Sequence, residues 1–552
     1  MDSNKQMAEL LFADITKTPQ DYDAIYPKRN LEEGAVVTRF APSPTGFLHF
    51  GGLFAAFVEK TAAKTTNGVF YLRIEDTDKK REVENGVSLI VKGLNDFGIE
   101  LDEGMLSETE EKGAYGPYMQ SKRKDIYQAY VKELVEKGLA YPCFMTEDEL
   151  SKIREKQEAE KLLPGIYGEF AAYRDISAEE AEKRIKNGDE YVVRLKSPGK
   201  ADGRIKFKDV IKGEIEMPEN VLDVVLLKKD GTPTYHFAHV VDDTLMRTTH
   251  VIRGDEWISS VPIHLQLFWV CGLKAPKYAH ISPIMKEENG GKRKLSKRKD
   301  PEAAVSYYRE VGYPKGAIWE YLMTLANSNY EDWRLANPDA DIDEFKFAFS
   351  KMSKAGALFD IVKLLDVSKN YISKLNAEEV YDMVADWAQE NNEKLYKLLV
   401  DDEEYAKAIF AIERGNAKPR KDIGKWEDVE EYVSYFYSEL WDRQFDFADN
   451  LSNEDMIEII EEYKKVYDAN GTADDWFPTL RDMAVNMGYA KAPKEYKKNP
   501  DEFKGHVGDV AGVIRVAVTG RRNTPDLYEI MQVLGADEVL KRFDEAINVL
   551  KG

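Results

Sequence analysis

The sequence predicts an α/β protein: a Rossmann-type parallel sheet split by an α+β insertion and followed by a largely α-helical C-terminal half. Three observations lead there. From Ala35 the chain reads strand, turn, helix, strand, through Val36–Phe40, Pro42 and Pro44, a helical stretch near Leu53–Lys64, and Val69–Ile74; a helix between two short apolar strands marks a parallel βαβ unit. That alternation breaks from about residue 118 to 234 and resumes near His250-Val251-Ile252-Arg253. Beyond about residue 300 helical patterns dominate. Asn376-x-x-Glu379 reads as a capping box, and Val380, Met383, Val384 and Trp387 follow on one helix face, as core packing requires.

Taken in order, residues 1–33 are polar, without clear periodicity, and read as an N-terminal extension. Residues 34–117 form the first half of the sheet domain. Residues 118–234 form the insertion, with a helix starting at Ser177-Ala-Glu-Glu180 and ending at Gly188, and a strand at Tyr191–Leu195. Val221–Leu227 and Thr234–Val241 are expected to pair as a hairpin around Asp230-Gly231-Thr232-Pro233. Residues 235–285 give the second half of the sheet, 286–375 a region opened by a basic loop, and 376–552 a helical domain. At 552 residues the chain exceeds one ordinary core and suggests roughly three to four domains.

Composition sets bounds on location and partners. Two cysteines, Cys143 and Cys271, make no disulfide framework and suit a reducing cytoplasm. The apolar window Ile258 to Leu273 is interrupted by Pro262, His264 and Gln266, so no membrane span is expected; Asp2, Glu9 and Asp14 speak against a secretory or transit signal. The formal charge of −22 argues, as an average, against a polyanionic partner. Locally, Lys292-Arg293-Lys294 and Lys297-Arg298-Lys299 are the densest basic segment, where a polyanion would sit.

Two segments carry the chemistry. "RFAPSPTGFLHFGG", Arg39 to Gly52, is neither a dinucleotide-type nor a P-loop glycine pattern. Its prolines stop the strand, its glycines let backbone approach a ligand where a helix begins, and His49 can donate to an oxyanion without a permanent charge. Alone, it is equally a Gly/Pro turn with a surface histidine. "GGKRKLSKRKD", Gly290 to Asp300, sets lysines around a serine after a flexible Gly-Gly start, as a loop closing over a triphosphate would. Alone, it reads as a solvated loop; together with the His49-x-Gly51-Gly52 turn roughly 240 residues upstream, where a discontinuous Rossmann fold would need it, the pair is far more specific.

The two segments resemble the HIGH and KMSKS signatures of class I aminoacyl-tRNA synthetases, and the wider text resembles the bacterial-type glutamyl-tRNA synthetases. "LRIEDTD" (72–78), "YGPYMQSKRKDIY" (115–127), "GLAYPCF" (138–144), "DGTPTYHFAHVVDDTLM" (230–246), "THVIRGDEW" (249–257) and "KRKLSKRKDPEAAVSYYRE" (292–310) carry that resemblance, with "AGVIRVAVTG" (511–520) more weakly. It implies an ATP site of His49, Gly51, Gly52, Glu256, Trp257, Lys294 and Lys297, with His49 and Lys297 catalytic. It implies a glutamate pocket of Arg39, Ser43, Glu75, Tyr235, His239 and Arg253. The chemistry agrees: an acidic side chain needs cationic and hydroxyl donors, and an α-ammonium needs an anion such as Glu75. Arg253 and Tyr235 are alternatively an ordinary structural pair, and Asp76-Thr77-Asp78 is read as a cluster complementing the start of the next helix. In the related glutaminyl enzymes an uncharged residue is expected at position 253, so Arg253 favours glutamate.

Phe50, Phe54 and His239 depart from the resemblance, standing where an aliphatic residue, Arg and Asn are usual. Cys143-Phe144-Met145 stands where many relatives carry a Cys-x-Cys zinc site, and one cysteine cannot build that site, so no structural zinc is expected. The implied reaction forms glutamyl-adenylate from ATP and L-glutamate, then glutamyl-tRNA. Mg²⁺ is expected with ATP, 118–234 on the tRNA acceptor end, and 376–552 on the anticodon. The expected partner is the glutamate tRNA, with use of the glutamine tRNA left open, and the chain is expected to act as a monomer.

Overall fold

The computed structural model describes residues 3–46, 48–78, 82–296 and 298–552. The chain divides into two compact units, residues 1–308 with 319–360, and residues 309–318 with 361–552.

The first unit opens with two helices, α1 (Ser3–Leu11) and α2 (Pro19–Ile25), so the N-terminal extension is folded. They are too short to show periodicity in sequence, yet Met7, Ala8, Phe12, Tyr22 and Tyr26 are buried. A full capping box, Thr18 with Asp21, starts α2. The βαβ unit follows as β1 (Val37–Phe40), α3 (Phe50–Lys64) and β2 (Val69–Leu72), with β1 and β2 parallel, Val37 opposite Val69. After α4 (Gly86–Asn95), β3 (Glu103–Met105) extends the parallel set and β4 (Glu111–Lys112) closes it antiparallel.

The interruption begins with α5 (Lys124–Glu136), on which α1 and α2 pack. It continues through β5 (Ala140–Cys143), α6 (Glu147–Ala159), α7 (Ala178–Lys186) and β6 (Val192–Leu195). Ser177 caps α7 by accepting the Glu180 N–H. Two strands unforeseen from sequence come next, β7 (Arg204–Asp209) and β8 (Gly213–Pro218), an antiparallel hairpin. β9 (Val225–Leu227) pairs antiparallel with β6, and β6 with β5. The hairpin expected next is corrected: the chain turns back only as far as the Leu227–Pro233 bridge and its flanking bonds, Lys228 N to Thr232 O and Thr234 N to Leu226 O, and the expected second strand is α8 (Tyr235–Leu245). The apolar residues of α8, Phe237, Ala238, Val240, Val241 and Leu245, lie on a buried helix, which a short apolar run does not distinguish from a strand.

β10 (His250–Gly254), α9 (Val261–Val270) and β11 (Lys277–Ile281) form the second βαβ unit, with β10 and β11 parallel and β7 joined to β11 through the Asp209–Tyr278 pair. The two parallel sets meet without a continuous ladder. Thr249 N donates to Val37 O at 2.9 Å, but Val37 N is taken by the Thr249 hydroxyl at 2.8 Å, where a ladder would offer a backbone carbonyl. The segment expected as one basic loop is partly a strand: Gly291–Lys294 is β13, paired antiparallel with β12 (Met285–Glu288), and the described residues that follow Lys294 continue as a loop.

The second unit is helical. Its core gathers Val380, Val384, Leu399, Ile460, Ile514 and Phe543, among others, from helices that include Ala377–Asn391, Asn453–Val466, Val507–Thr519 and Ala536–Lys551. The Asn376–Glu379 capping box is complete, and Met383 and Trp387 pack against that core. Among the described residues no helix is long and apolar enough to cross a membrane.

Candidate active site

At the C-terminal ends of β1, β2 and β10 the chain encloses a cavity of about 640 Å³. Ligands of parallel α/β sheets collect at such ends, where strands stop and helices begin. Arg39, Ser43, His49, Gly51, Gly52, Glu75, Tyr235, Arg253, Glu256, Trp257 and Lys294 all line it, so segments more than two hundred residues apart in sequence converge. Lys297 lies outside the described residues.

The first motif is built around the start of α3. His49 is its N-cap, with Nδ1 accepting the Gly52 N–H at 3.0 Å. In the neutral ring this leaves the proton on Nε2. A Cβ at Gly51 would stand 3.1 Å from the His49 ring, and one at Gly52 would stand 2.9 Å from Leu48 Cδ1, so the paired glycines let the imidazole fold over the helix start. Phe50 is fully buried, with its ring centroid 5.4 Å from that of Tyr308 and 5.2 Å from that of Phe359, edge-on to the latter. An aromatic residue at this position fills a cluster of other rings.

Opposite lies a network of buried charge. Arg39 Nε donates to Asp243 Oδ1 at 3.2 Å, and Arg73 Nη1 to the same oxygen at 2.7 Å. Arg73 Nη2 reaches Glu75 Oε1 at 3.2 Å, so Glu75 is held at the cavity wall by a cation behind it. Beneath them Asp242 accepts from Gln120, Arg123 and Tyr127 at 2.9, 2.7 and 2.8 Å. Burial alone would raise the Asp243 carboxyl, but Arg39, Arg73 and His239 together hold it well below its ordinary range. Burial raises Glu75, against the pull of Arg73 and Arg39. Sequence reasoning passed over Arg73, Asp242 and Asp243; the pair Asp242-Asp243 on a buried helix was the available signal.

Arg253 is held differently. Its Nη1 donates to Tyr235 OH at 3.1 Å, Nε to His280 Nε2 at 3.1 Å, and Nη2 to Trp257 O at 3.4 Å and to His264 Nδ1 at 3.3 Å. It is 7% exposed, and among the described residues these hydrogen-bond partners are all neutral. The Trp257 ring lies 4.5 Å from that of Tyr235. His239 does not line the cavity: it is fully buried, stacked under Tyr235 at 6.2 Å, with Nδ1 2.6 Å from Asp243 Oδ2 and Nε2 3.0 Å from Tyr278 OH. Burial drives its pKa down to about 3 and that of His236 to about 4.

The reading of Asp76-Thr77-Asp78 as a helix-start cluster is corrected. The next helix, α4, has Asn85 at its N-cap position, without a side-chain capping hydrogen bond, and no acidic residue in its first turn. Asp76 instead accepts the Ser121 N–H at 2.8 Å, Thr77 O accepts from Lys228 Nζ at 2.7 Å, and Thr77 and Asp78 line the cavity. Glu59, which sequence reasoning did not single out, also lines it, 2% exposed and with its carboxyl raised well above the ordinary range by burial.

Known proteins are similar along nearly the whole chain. Residues 35–366 match the family described as tRNA synthetases class I (E and Q), catalytic domain, and residues 404–547 match the anticodon binding domain family. A glutamate–tRNA ligase of Clostridium perfringens (strain SM101 / Type A) is 55% identical, covering 98% of this chain and 99% of its own. That of Clostridium beijerinckii is 50% identical over 99% of this chain and its whole length. A crystal structure of a glutamate tRNA ligase from Elizabethkingia meningosepticum in complex with its amino acid superposes with a TM-score of 0.75 at 29% identity, covering 93% of this chain and 99% of that one. The chain belongs to the glutamate–tRNA ligases, in the class I aminoacyl-tRNA synthetase family.

Proposed function

We propose that the cavity between His49 and Arg253 is where the chain activates L-glutamate with ATP and passes it to the 3′-terminal ribose of the glutamate tRNA. The observation that carries the glutamate assignment is Arg253, a buried guanidinium at the cavity wall whose hydrogen-bond partners among the described residues are neutral. A buried cation in that state is balanced by an anionic ligand, and the side-chain carboxylate of glutamate supplies one. Tyr235 OH, beside it, and Arg39, whose Nε is committed to Asp243, complete the acidic side-chain pocket. A neutral amide would leave Arg253 without its counter-charge, which selects against glutamine.

Glu75, fixed by Arg73, takes the α-ammonium, with Ser43 alongside. ATP lies toward Gly51 and Gly52, where backbone approaches closely, with Glu256 and Trp257 on its nucleoside side. His49 Nε2–H and the Lys294 ammonium group face the phosphates, and the family resemblance gives Lys297 a role at the triphosphate. The α-carboxylate attacks the α-phosphorus, pyrophosphate leaves, and glutamyl-adenylate forms. A ribose hydroxyl of the tRNA then attacks the activated carbonyl and AMP leaves. The residues contribute position and donors aimed at developing charge rather than a covalent intermediate. Mg²⁺ would come with the nucleotide, with phosphate oxygens and water supplying most of its ligands. The interrupting region 118–234 is assigned to the acceptor end and 376–552 to the anticodon.

The test is glutamate-dependent ATP–pyrophosphate exchange with tRNA present, together with charging of purified glutamate and glutamine tRNAs. Exchange and charging of the glutamate tRNA are expected, and charging of the glutamine tRNA measures how strictly the anticodon is read. His49→Ala and Lys297→Ala should chiefly lower turnover. A folded protein that supports neither exchange nor charging would end this reading.

A further inference from the structure

The buried arginines of the first unit fall into two kinds. Arg39 and Arg73 share Asp243, and Arg123 is paired with Asp242, so each meets a carboxylate directly. Arg253 meets an imidazole, and the carboxylate stands one residue further back. Asp209, the last residue of β7, accepts four N–H groups: Oδ1 those of Ile211 and Lys212 at 2.9 and 2.7 Å, Oδ2 the His280 backbone N–H at 3.1 Å and the ring Nδ1 at 2.7 Å. Backbone N–H groups only donate, so both oxygens act as acceptors and the His280 proton stands on Nδ1. The Nε2 lone pair is then left to receive Arg253 Nε–H at 3.1 Å. The Tyr278 ring, centred 5.0 Å from the guanidinium carbon, limits the group from another side.

We propose that Asp209 and His280 are positioning residues for glutamate selection: Asp209 fixes the His280 tautomer, and His280 orients Arg253 without neutralising it. This rests on the assignment of Arg253 to the substrate carboxylate. A carboxylate placed directly on Arg253 would hold it equally well but would satisfy its charge before substrate arrives; a fixed imidazole supplies geometry and leaves the charge available. Both residues are almost fully buried, at 1% and 0% exposure. Burial keeps His280 below its ordinary pKa, against the pull of Asp209. Burial raises Asp209, but the hydrogen bonds from His280, Lys212 and Ile211 outweigh it and hold the carboxyl below its ordinary value. The pairing also gives the β7–β8 hairpin a role at the amino-acid site, which its exposed, charge-alternating sequence does not announce.

The experiment compares His280→Leu, which removes the acceptor, with His280→Gln, whose amide oxygen can reach the Nε2 position, and with Asp209→Asn. ATP–pyrophosphate exchange with the glutamate tRNA present reads KM for glutamate and for ATP separately. His280→Leu and Asp209→Asn are expected to raise KM for glutamate about tenfold or more and to leave KM for ATP within about twofold, while His280→Gln recovers most of the loss. In the intact wild-type protein, imidazole ¹⁵N and ¹³C shifts are expected to show His280 protonated on Nδ1; protonation on Nε2 instead would overturn the proposal even if every variant failed to fold. So would an unchanged glutamate KM in His280→Leu, an equal rise in both KM values, or a His280→Gln variant as impaired as His280→Leu. Arg253→Gln in the same assay separates the two layers. A glutamate defect there with none in His280→Leu removes only the positioning role, and no defect in Arg253→Gln removes both.

Discussion

In the first unit Arg39, Arg73, Arg123, Arg253, Asp242 and Asp243 are all less than a tenth exposed, whereas the second unit packs Val384, Leu399, Ile460, Ile514 and Phe543 together. Arg542 is a buried cation of that helical core, paired with Glu538 at 2.9 Å and with Cζ 4.1 Å from the centre of the Trp441 ring. Apolar packing tolerates volume-conserving change and gives stability with little demand on direction. Buried ion pairs contribute little net stability but fix donors and acceptors to within a narrow geometry once all are satisfied. The first unit has an apolar core as well, and adds the second kind beside the candidate active site, which points to preorganised charge as what that site requires.

The contrast is tested most forcefully at Asp243. Asp243→Ala strands Arg39 and Arg73 without their shared carboxylate and is expected to cost roughly 3–5 kcal/mol. Hydrogen exchange should show the loss in the amides of β1, β2 and α8, and glutamate activation should disappear with it. Leu399→Ala, in the apolar core, is expected to cost about 3 kcal/mol through the cavity it leaves, while KM for glutamate stays within about twofold.

Acid separates the units by a different route. Six of the seven histidines lie in the first unit, and those at 236 and 239 have folded-state pKa values of about 4 and about 3. Their neutral forms are the folded ones, so their contribution is complete above the unfolded value of about 6.5 and is lost as pH falls toward the folded values. Each such histidine should cost at most roughly 1.4 kcal/mol per pH unit over that window. Urea unfolding followed by a first-unit probe from pH 7 to pH 4.5 should fall more steeply than one followed in the second unit, and His239→Asn should flatten the first. The smallest effect is expected from Phe50→Leu, about 1 kcal/mol from the lost ring contacts, with exchange turnover close to wild type.

What could be read from sequence follows the same division of labour. The βαβ units were legible because burial on both faces makes their strands apolar and Pro and Gly punctuate their ends. The segment around His49 was legible because its Pro, Gly and His are unusual for packing, whereas Arg253 was legible only through the resemblance to the family. The N-terminal helices escaped notice because helices of nine and seven residues make too few turns for periodicity. β7 and β8 were legible in principle, since Ile205, Phe207, Ile215 and Met217 alternate with polar or charged neighbours as in a half-solvated strand, and that period was passed over. Asp209 and His280 were invisible for a deeper reason: Asp209 meets His280, and His280 meets Arg253, across long stretches of sequence, and no local pattern marks such a buried hydrogen-bond partner. The same limit explains Phe50, a departure from the family pattern until Tyr308 and Phe359 are seen around it.

The central claim is that Arg253 carries an uncompensated charge that glutamate completes. It is tested most directly by measuring kcat/KM for glutamate in ATP–pyrophosphate exchange, with tRNA present, for the wild type and Arg253→Gln. A fall of about 100-fold or more, carried mainly by KM for glutamate with KM for ATP nearly unchanged, is the expected result. Equal glutamate kinetics in the two proteins would contradict it.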